Sequence, residues 1–167
     1  RTSVFLMSDQ QYWFFLYSVK PENDQQELSN RKPHMAGETS LATLLRSMSP
    51  QLNAGEYVFC TLHDGQWPAG LEIIGSFREQ EGLTVILERR HAEQAGFSFD
   101  YVAAWITLNV HSALEAVGLT AAFATALGQA GISCNVIAGY YHDHLFVGQA
   151  DAERAMQVLR DLAANAE

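Results

Sequence analysis

Apolar residues in the first part of the chain alternate between the spacing of helices and the spacing of strands. Between residues 41 and 48, leucines and a methionine recur every three or four positions, which predicts one buried face of a helix. Thr39 or Ser40 can cap this helix, and Pro50 lies just beyond its last turn. Strand-like runs follow at residues 57–62, 71–77 and 83–88, and a brief helix at residues 90–95 stops at Gly96.

The second part of the chain has a more regular pattern. A strand beginning at Val102 or Trp105 precedes a helix with one apolar stripe, which ends at Gly131. A hairpin-like segment, residues 135–147, then leads to a last helix with Asp151 as its N-cap. This order of strand, helix, strand, strand, helix is the ferredoxin-like split βαβ sandwich lacking one strand, which the other half of the chain could lend. Right-handed crossover predicts parallel strands at residues 105–110 and 134–141, with both helices on one face.

Residues 1–34 differ in character from the rest. Their apolar runs are interrupted by polar residues, so neither run is long enough for a bilayer span or a signal peptide. We interpret them as a leader or a non-native extension outside the fold, although aromatic side chains docked on the body are an open alternative. The body then divides into an N-terminal half, residues 35–100, and a C-terminal half, residues 101–167.

Composition and charge limit the classes of partner. The 167 residues are 48% hydrophobic and 17% charged, which is typical of a globular protein with a core of ordinary size. A formal net charge of -9, without a basic stripe, disfavours nucleic acid. Cys60 and Cys134 lie in apolar strand-like runs, where free thiols pack as small hydrophobes, and this predicts a cytoplasmic protein without a disulfide framework.

One edge of the predicted C-terminal sheet collects groups that suit a small zwitterion. A corner at Val117, Gly118 and Leu119 precedes the helix, and free backbone N–H groups from Leu119 and Thr120 onward can receive a carboxylate. Asp143, in the predicted turn at His142–Asp143, can hold an ammonium group. The simpler alternatives are a glycine required only by the corner and an aspartate required only by the turn.

Five segments of this chain resemble the ACT domain family, and in particular small bacterial tandem ACT proteins. They are residues 37–45, 55–62, 76–84, 111–122 and 138–147. The resemblance implies an α+β protein of two ACT-like (ferredoxin-like βαββα) sandwiches, with antiparallel-rich sheets and helices packed on one face. The N-terminal half departs from the family pattern, since residues 63–70 between its first two strands are too few for a crossover helix.

The resemblance also implies a function. ACT domains are regulatory modules that bind amino acids or related effectors, commonly between two copies, beside the corner that links the first strand to the first helix. Carried onto this chain, the corner is Val117–Leu119 and the facing tip is His142–Asp143. By analogy with the C-terminal hairpin, Ser76, Arg78 and Glu81 would form the opposing wall. We therefore expect a non-catalytic, homodimeric binder of an amino acid, without cofactor or metal, acting through an unidentified protein partner.

Two alternatives from other functional classes stay open. His111, Glu115, His142 and His144 could form a metal-assisted or acid/base site, although no spaced His or Cys motif supports a metal. The other alternative is a protein interaction module with an occluded cleft, which would bind no metabolite.

Overall fold

The structure is a computed structural model that describes residues 40–110 and 118–166. The predictions for residues 1–34, Val117, His111 and Glu115 lie outside the described residues. All the described residues belong to one compact unit, and the boundary predicted at residues 100 and 101 falls within it. The elements are α1 (Leu41–Ser47), β1 (Ser49–Leu52), β2 (Tyr57–Leu62), β3 (Ile73–Glu79), β4 (Gly82–Glu88), α2 (Arg89–Ala95), β5 (Val102–Asn109), α3 (Leu119–Gln129), β6 (Cys134–Ala138), β7 (Asp143–Gly148) and α4 (Ala152–Ala164).

The described strands form one antiparallel sheet in the order β3-β4-β2-β5-β7-β6, with β1 also paired to β5. Strands β5 and β6 both run antiparallel to β7 and therefore run in the same direction, which the crossover rule predicts. Strand β1 completes the C-terminal sandwich, because it pairs with the second half of β5 from Ser49 opposite Asn109 to Leu52 opposite Ile106. The N-terminal half thus supplies the strand that the C-terminal sandwich lacks, as the sequence predicts.

The four helices just named cover the same face of this sheet. Alternate residues of β5 and β7, such as Ile106 and Leu145, are buried beneath α1, α3 and α4. Val58 of β2 lies beside Val102 of β5 on this face and packs in a second cluster with α2. Antiparallel strands with helices packed on one face are what the sequence predicts, and the strands of the two predicted sandwiches form a single sheet.

The N-terminal half lacks a crossover helix between its first two strands. Residues 63–72 form a loop between β2 and β3, as the short connection predicts. Helix α2 ends at Gly96, whose φ of +71° lies in the left-handed region that favours glycine. Strands β2 and β3 both pair antiparallel with β4, so they run in the same direction on either side of it, and the loop at residues 63–72 connects them.

The hairpin between β6 and β7 differs from its predicted geometry. Strand β6 ends at Ala138, whereas the sequence predicts extended chain to Tyr141. The turn spans residues 139–142 and is closed by a 2.9 Å hydrogen bond from the Gly139 N–H to the His142 carbonyl. A Cβ atom on Gly139 would lie 2.8 Å from that carbonyl oxygen, so the tight turn requires glycine there. Asp143 is consequently the first residue of β7 and does not lie at the turn.

Candidate functional site

The start of α3 and the start of β7 lie at the same edge of the sheet. Asp143 pairs with Leu108 near the end of β5, and Leu119, the first residue of α3, packs in the same buried cluster as Leu108 and Val110. Gly118 precedes the helix with a φ of +102°. A Cβ atom on Gly118 would lie 3.1 Å from Leu41 Cδ2, so a side chain of α1 covers this corner.

Asp143 faces the helices and is nearly buried. It is 8% exposed and lies on the same strand face as buried Leu145 and Val147. Burial raises the pKa of Asp143, and the neighbouring His144 and His142 partly offset this effect. The carboxylate is therefore a costly charge in the free protein, which a cationic group would stabilise.

The other residues predicted at this edge contribute less than Asp143. Leu119 is 3% exposed, and its side chain belongs to the core. Thr120 is exposed on the first turn of α3. His142 Nδ1 lies 3.3 Å from the Val110 carbonyl oxygen, to which it donates when it carries the proton. Gly118, Leu119 and Thr120 thus lie at the start of α3, and His142 and Asp143 lie at the end of the turn and the start of β7.

The predicted opposing wall lies in the N-terminal strands. Ser76 and Arg78 belong to β3, and Glu81 lies in the turn before β4. A Cβ atom on Gly75, next to Ser76, would lie 4.0 Å from Ile137 Cδ1 of β6, and Ala138, the next residue of β6, pairs with Asp143. A role of these three residues in closing the Asp143 edge stays a prediction.

The opposite face of the sheet encloses an apolar cavity. The sheet curls so that its edge strands approach each other, and a Cβ atom on Gly75 of β3 would lie 4.0 Å from Ile137 Cδ1 of β6. The space has a volume of about 360 Å³ and is lined by Ile73, Ile74, Gly75, Ile86, Trp105, Ile137, His144 and Phe146. This site was not predicted from the sequence. The sequence feature that could have indicated it is the set of aromatic and branched residues on the face of β2, β5 and β7 that points away from the helices.

Aromatic rings organise one wall of the cavity. Trp105 and Phe146 stack with ring centroids 6.3 Å apart and an interplanar angle of 13°. Tyr57 meets Trp105 edge to face with centroids 5.3 Å apart, and Phe59 meets Phe146 in the same way at 5.3 Å. Such ring pairs stabilise one arrangement of large side chains, which favours a preformed cavity.

A polar network fixes His144 at the edge of this wall. Trp105 Nε1 donates to His144 Nδ1 over 3.2 Å, and Thr107 Oγ1 lies 3.3 Å from the same nitrogen. Thr107 in turn accepts a 2.9 Å hydrogen bond from Asn53 Nδ2. Because an indole N–H can only donate, Nδ1 is unprotonated and neutral His144 carries its proton on Nε2. Burial lowers the pKa of His144, and nearby His142 lowers it further.

The histidines of the enzymatic alternative are engaged separately. His142 contacts the Val110 carbonyl, while His144 bonds to Trp105. In residues 40–110 and 118–166, no group of three or more His, Cys, Asp or Glu side chains is arranged to hold a metal ion. Nor does any helix in these two ranges have the length and apolar character needed to cross a bilayer.

Two sequence profiles described as ACT domain match this chain, at residues 36–104 and 101–161. The chain belongs to the ACT domain family. ACT domains are regulatory modules that bind small molecules. The two matches are in tandem, and together with the sheet they establish the tandem ACT architecture.

Solved structures with this ACT fold include proteins with and without a stated role. A Vibrio cholerae protein of unknown function, described as a possible transport protein, is 54% identical with a TM-score of 0.66, covering 75% of this chain and 97% of its own. An Agrobacterium tumefaciens protein is 20% identical with a TM-score of 0.56, covering 70% of this chain and 89% of its own. The ligand-free regulatory subunit of aspartate kinase from Thermus thermophilus is 8% identical with a TM-score of 0.53, covering 70% of this chain and 97% of its own, and shares the fold alone. Comparison with curated proteins gives no match.

Proposed function

We propose that this ACT protein is a non-catalytic regulatory or sensor protein that binds an amino acid at the sheet edge where α3 begins. The backbone N–H groups at residues 118–120 would receive the carboxylate, because a helix N-terminus carries partial positive charge. Asp143 would hold the ammonium group through a charge-assisted hydrogen bond. The observation that carries the proposal is the nearly buried Asp143 carboxylate at the edge where α3 starts, on the face that the helices cover.

The burial of Asp143 supports a role in binding. Burial raises its pKa, so the folded protein holds this carboxylate at a cost in stability. An ammonium group placed beside it would offset that cost only in the complex.

Leu41 supplies a means of coupling ligand to structure. Its Cδ2 atom would lie 3.1 Å from a Cβ on Gly118, so α1 covers the corner where the carboxylate would bind. A ligand at the corner has to displace or repack this side chain, and it therefore favours one position of α1 over another. Movement of α1, or closure of a homodimer over this edge, would pass the signal to a protein partner. Free Cys60 and Cys134 support a cytoplasmic location.

Calorimetry with the twenty amino acids, after a thermal-shift screen, tests the proposal. We expect at least one amino acid to bind, and Asp143→Asn to weaken that binding by at least about thirtyfold, since removing one partner of a buried charge pair costs about 2 kcal/mol or more. Asp100→Asn, which changes an exposed aspartate, is the matched control and should bind like the wild type. Equal affinity in the Asp143→Asn variant, or binding of no amino acid, would contradict the proposal.

Elemental analysis of the purified protein addresses the enzymatic alternative. A stoichiometric bound metal would count against a non-catalytic binder. The interaction-module alternative predicts no thermal shift with any metabolite.

A further inference from the structure

A polar recess adjoins the apolar cavity on the face of the sheet opposite to the helices. It has a volume of about 130 Å³ and is lined by Tyr57, Glu72, Ile74, Glu88, His91 and Trp105. Ile74 and Trp105 also line the cavity, so the two spaces are neighbours that share a wall. Together they form a site with one apolar and one polar end.

The polar end carries an excess of negative charge. Glu88 forms a 2.8 Å ion pair with Arg90, whereas no ion pair of Glu72 is found in the part of the chain that the structure describes. Burial raises the pKa of Tyr57, and Glu88 and Glu72 raise it further against a smaller opposing effect of Arg90. The carboxylates of Glu72 and Glu88 are therefore balanced only by the guanidinium group of Arg90, and the remaining negative charge favours binding of a cation in the recess.

Two aromatic rings complete the polar end. Tyr57 and Trp105 meet edge to face with centroids 5.3 Å apart, and both line the recess. Aromatic faces attract ammonium groups by about 0.5–2 kcal/mol, and an indole face is the strongest. Carboxylates and aromatic rings are groups that recognise an organic ammonium ion.

We propose that the concave face of the sheet binds a small organic amine, with its ammonium group in the recess and a branched aliphatic or aromatic body in the cavity. A cavity of about 360 Å³ lies within the range of small-ligand sites and is walled by isoleucines and aromatic rings. An α-amino acid fits less well, because its carboxylate adjoins the ammonium group and would approach Glu72 and Glu88. The site lies on the opposite face to Asp143, so the inference does not rest on the proposed function.

Matched pairs of ligands test the ligand class. Phenethylamine and 3-methylbutylamine carry the hydrocarbon bodies of phenylalanine and leucine without the carboxylate, and 2-phenylethanol carries the body without the charge. Measured by calorimetry at millimolar concentration on the full chain, we expect each amine to bind at least about tenfold tighter than its amino acid or alcohol. Equal affinity for amine and amino acid, or no binding of either amine, would overturn the proposal.

Two variants test the placement. Glu72→Gln should weaken amine binding by about tenfold, the effect of one lost charge–charge contact, while Glu153→Gln on the exposed side of α4 should not change it. Gly75→Leu should abolish binding of amine and alcohol alike, because its Cβ lies 3.5 Å from Ile86 Cδ1 without strain and the rest of the side chain enters the cavity. If that variant fails to fold, Glu72→Gln alone decides, and unchanged amine affinity in it would refute the placement.

Discussion

Leu44 provides a test of whether the two ACT halves fold as one unit. It lies in α1, before the predicted boundary, yet it is 0% exposed and packs in the same core as Phe123 of α3 and Leu159 of α4. Met48, also in the N-terminal half, joins this core at 4% exposure. If the halves depend on each other, removing the Leu44 side chain must destabilise strands at the far end of the sequence.

The expected loss follows from the burial of Leu44. Leu44→Ala removes three carbon atoms, worth about 0.8 kcal/mol each on transfer from water, or about 2.4 kcal/mol. The space left behind in a packed core increases the cost, and buried leucine-to-alanine changes typically cost about 2–5 kcal/mol in total. We therefore expect the free energy of unfolding to fall by about 3–4 kcal/mol, with a melting temperature lower by about 10 °C.

Urea denaturation together with native-state hydrogen exchange measures this effect. The amides of Leu145 and Val147 in β7 should lose protection by the same free energy as global unfolding, because β7 pairs with β5 in the middle of the shared sheet. Arg46→Ala, on the exposed side of α1, is the control and should change the stability by less than about 0.5 kcal/mol. Unchanged protection in β7 despite a destabilised N-terminal half would refute a single cooperative unit.

Two further changes have outcomes that the structure specifies. In urea denaturation, Gly82→Ala should lower the free energy of unfolding by about 3 kcal/mol and Gly70→Ala by only about 1 kcal/mol. Both glycines have positive φ, but a Cβ on Gly82 would lie 2.5 Å from the Leu62 carbonyl oxygen, while nothing lies within 4 Å of a Cβ on Gly70. Equal losses would contradict this interpretation. Burial lowers the pKa of His144 from 6.5, so at mildly acidic pH the unfolded chain binds this proton more readily than the folded protein does. The contribution of neutral His144 to stability is therefore complete above about pH 6.5, and it is lost as the pH falls through the lower pKa of the folded protein. Since the raised pKa of Asp143 acts in the opposite sense, a His144→Gln variant isolates the effect and should flatten the acid limb of the stability profile.

The sequence predicts most of the strands because their pairing depends on local patterns. Strand β2 has the predicted bounds, Tyr57–Leu62, since its apolar run is bounded by turn residues on both sides. The crossover rule gives the direction of β5 and β6 without any tertiary information. The crossover rule also predicts that α3 and β7 begin at the same edge of the sheet.

Other features depend on contacts between distant parts of the chain. Strand β1 has four residues including Pro50, a composition that predicts a helix end, and it is extended only because it pairs with the free edge of β5. The cavity exists because the sheet curls until β3 nears β6, and no local pattern records that approach. The sequence predicts Asp143 in the turn, but Asp143 begins β7 because the hydrogen bond and close contact at Gly139 place the turn at residues 139–142.

Strand β7 connects the two candidate sites through its alternation. Asp143 faces the helices and the sheet edge, whereas the next residue, His144, lines the cavity on the other face. A slip of one residue in the pairing of β7 with β5 would exchange these two side chains and turn Leu145 out of the core. The core and both sites therefore depend on the strand register that the turn at residues 139–142 fixes. Gly139 is required in that turn, because a Cβ atom there would lie 2.8 Å from the His142 carbonyl oxygen.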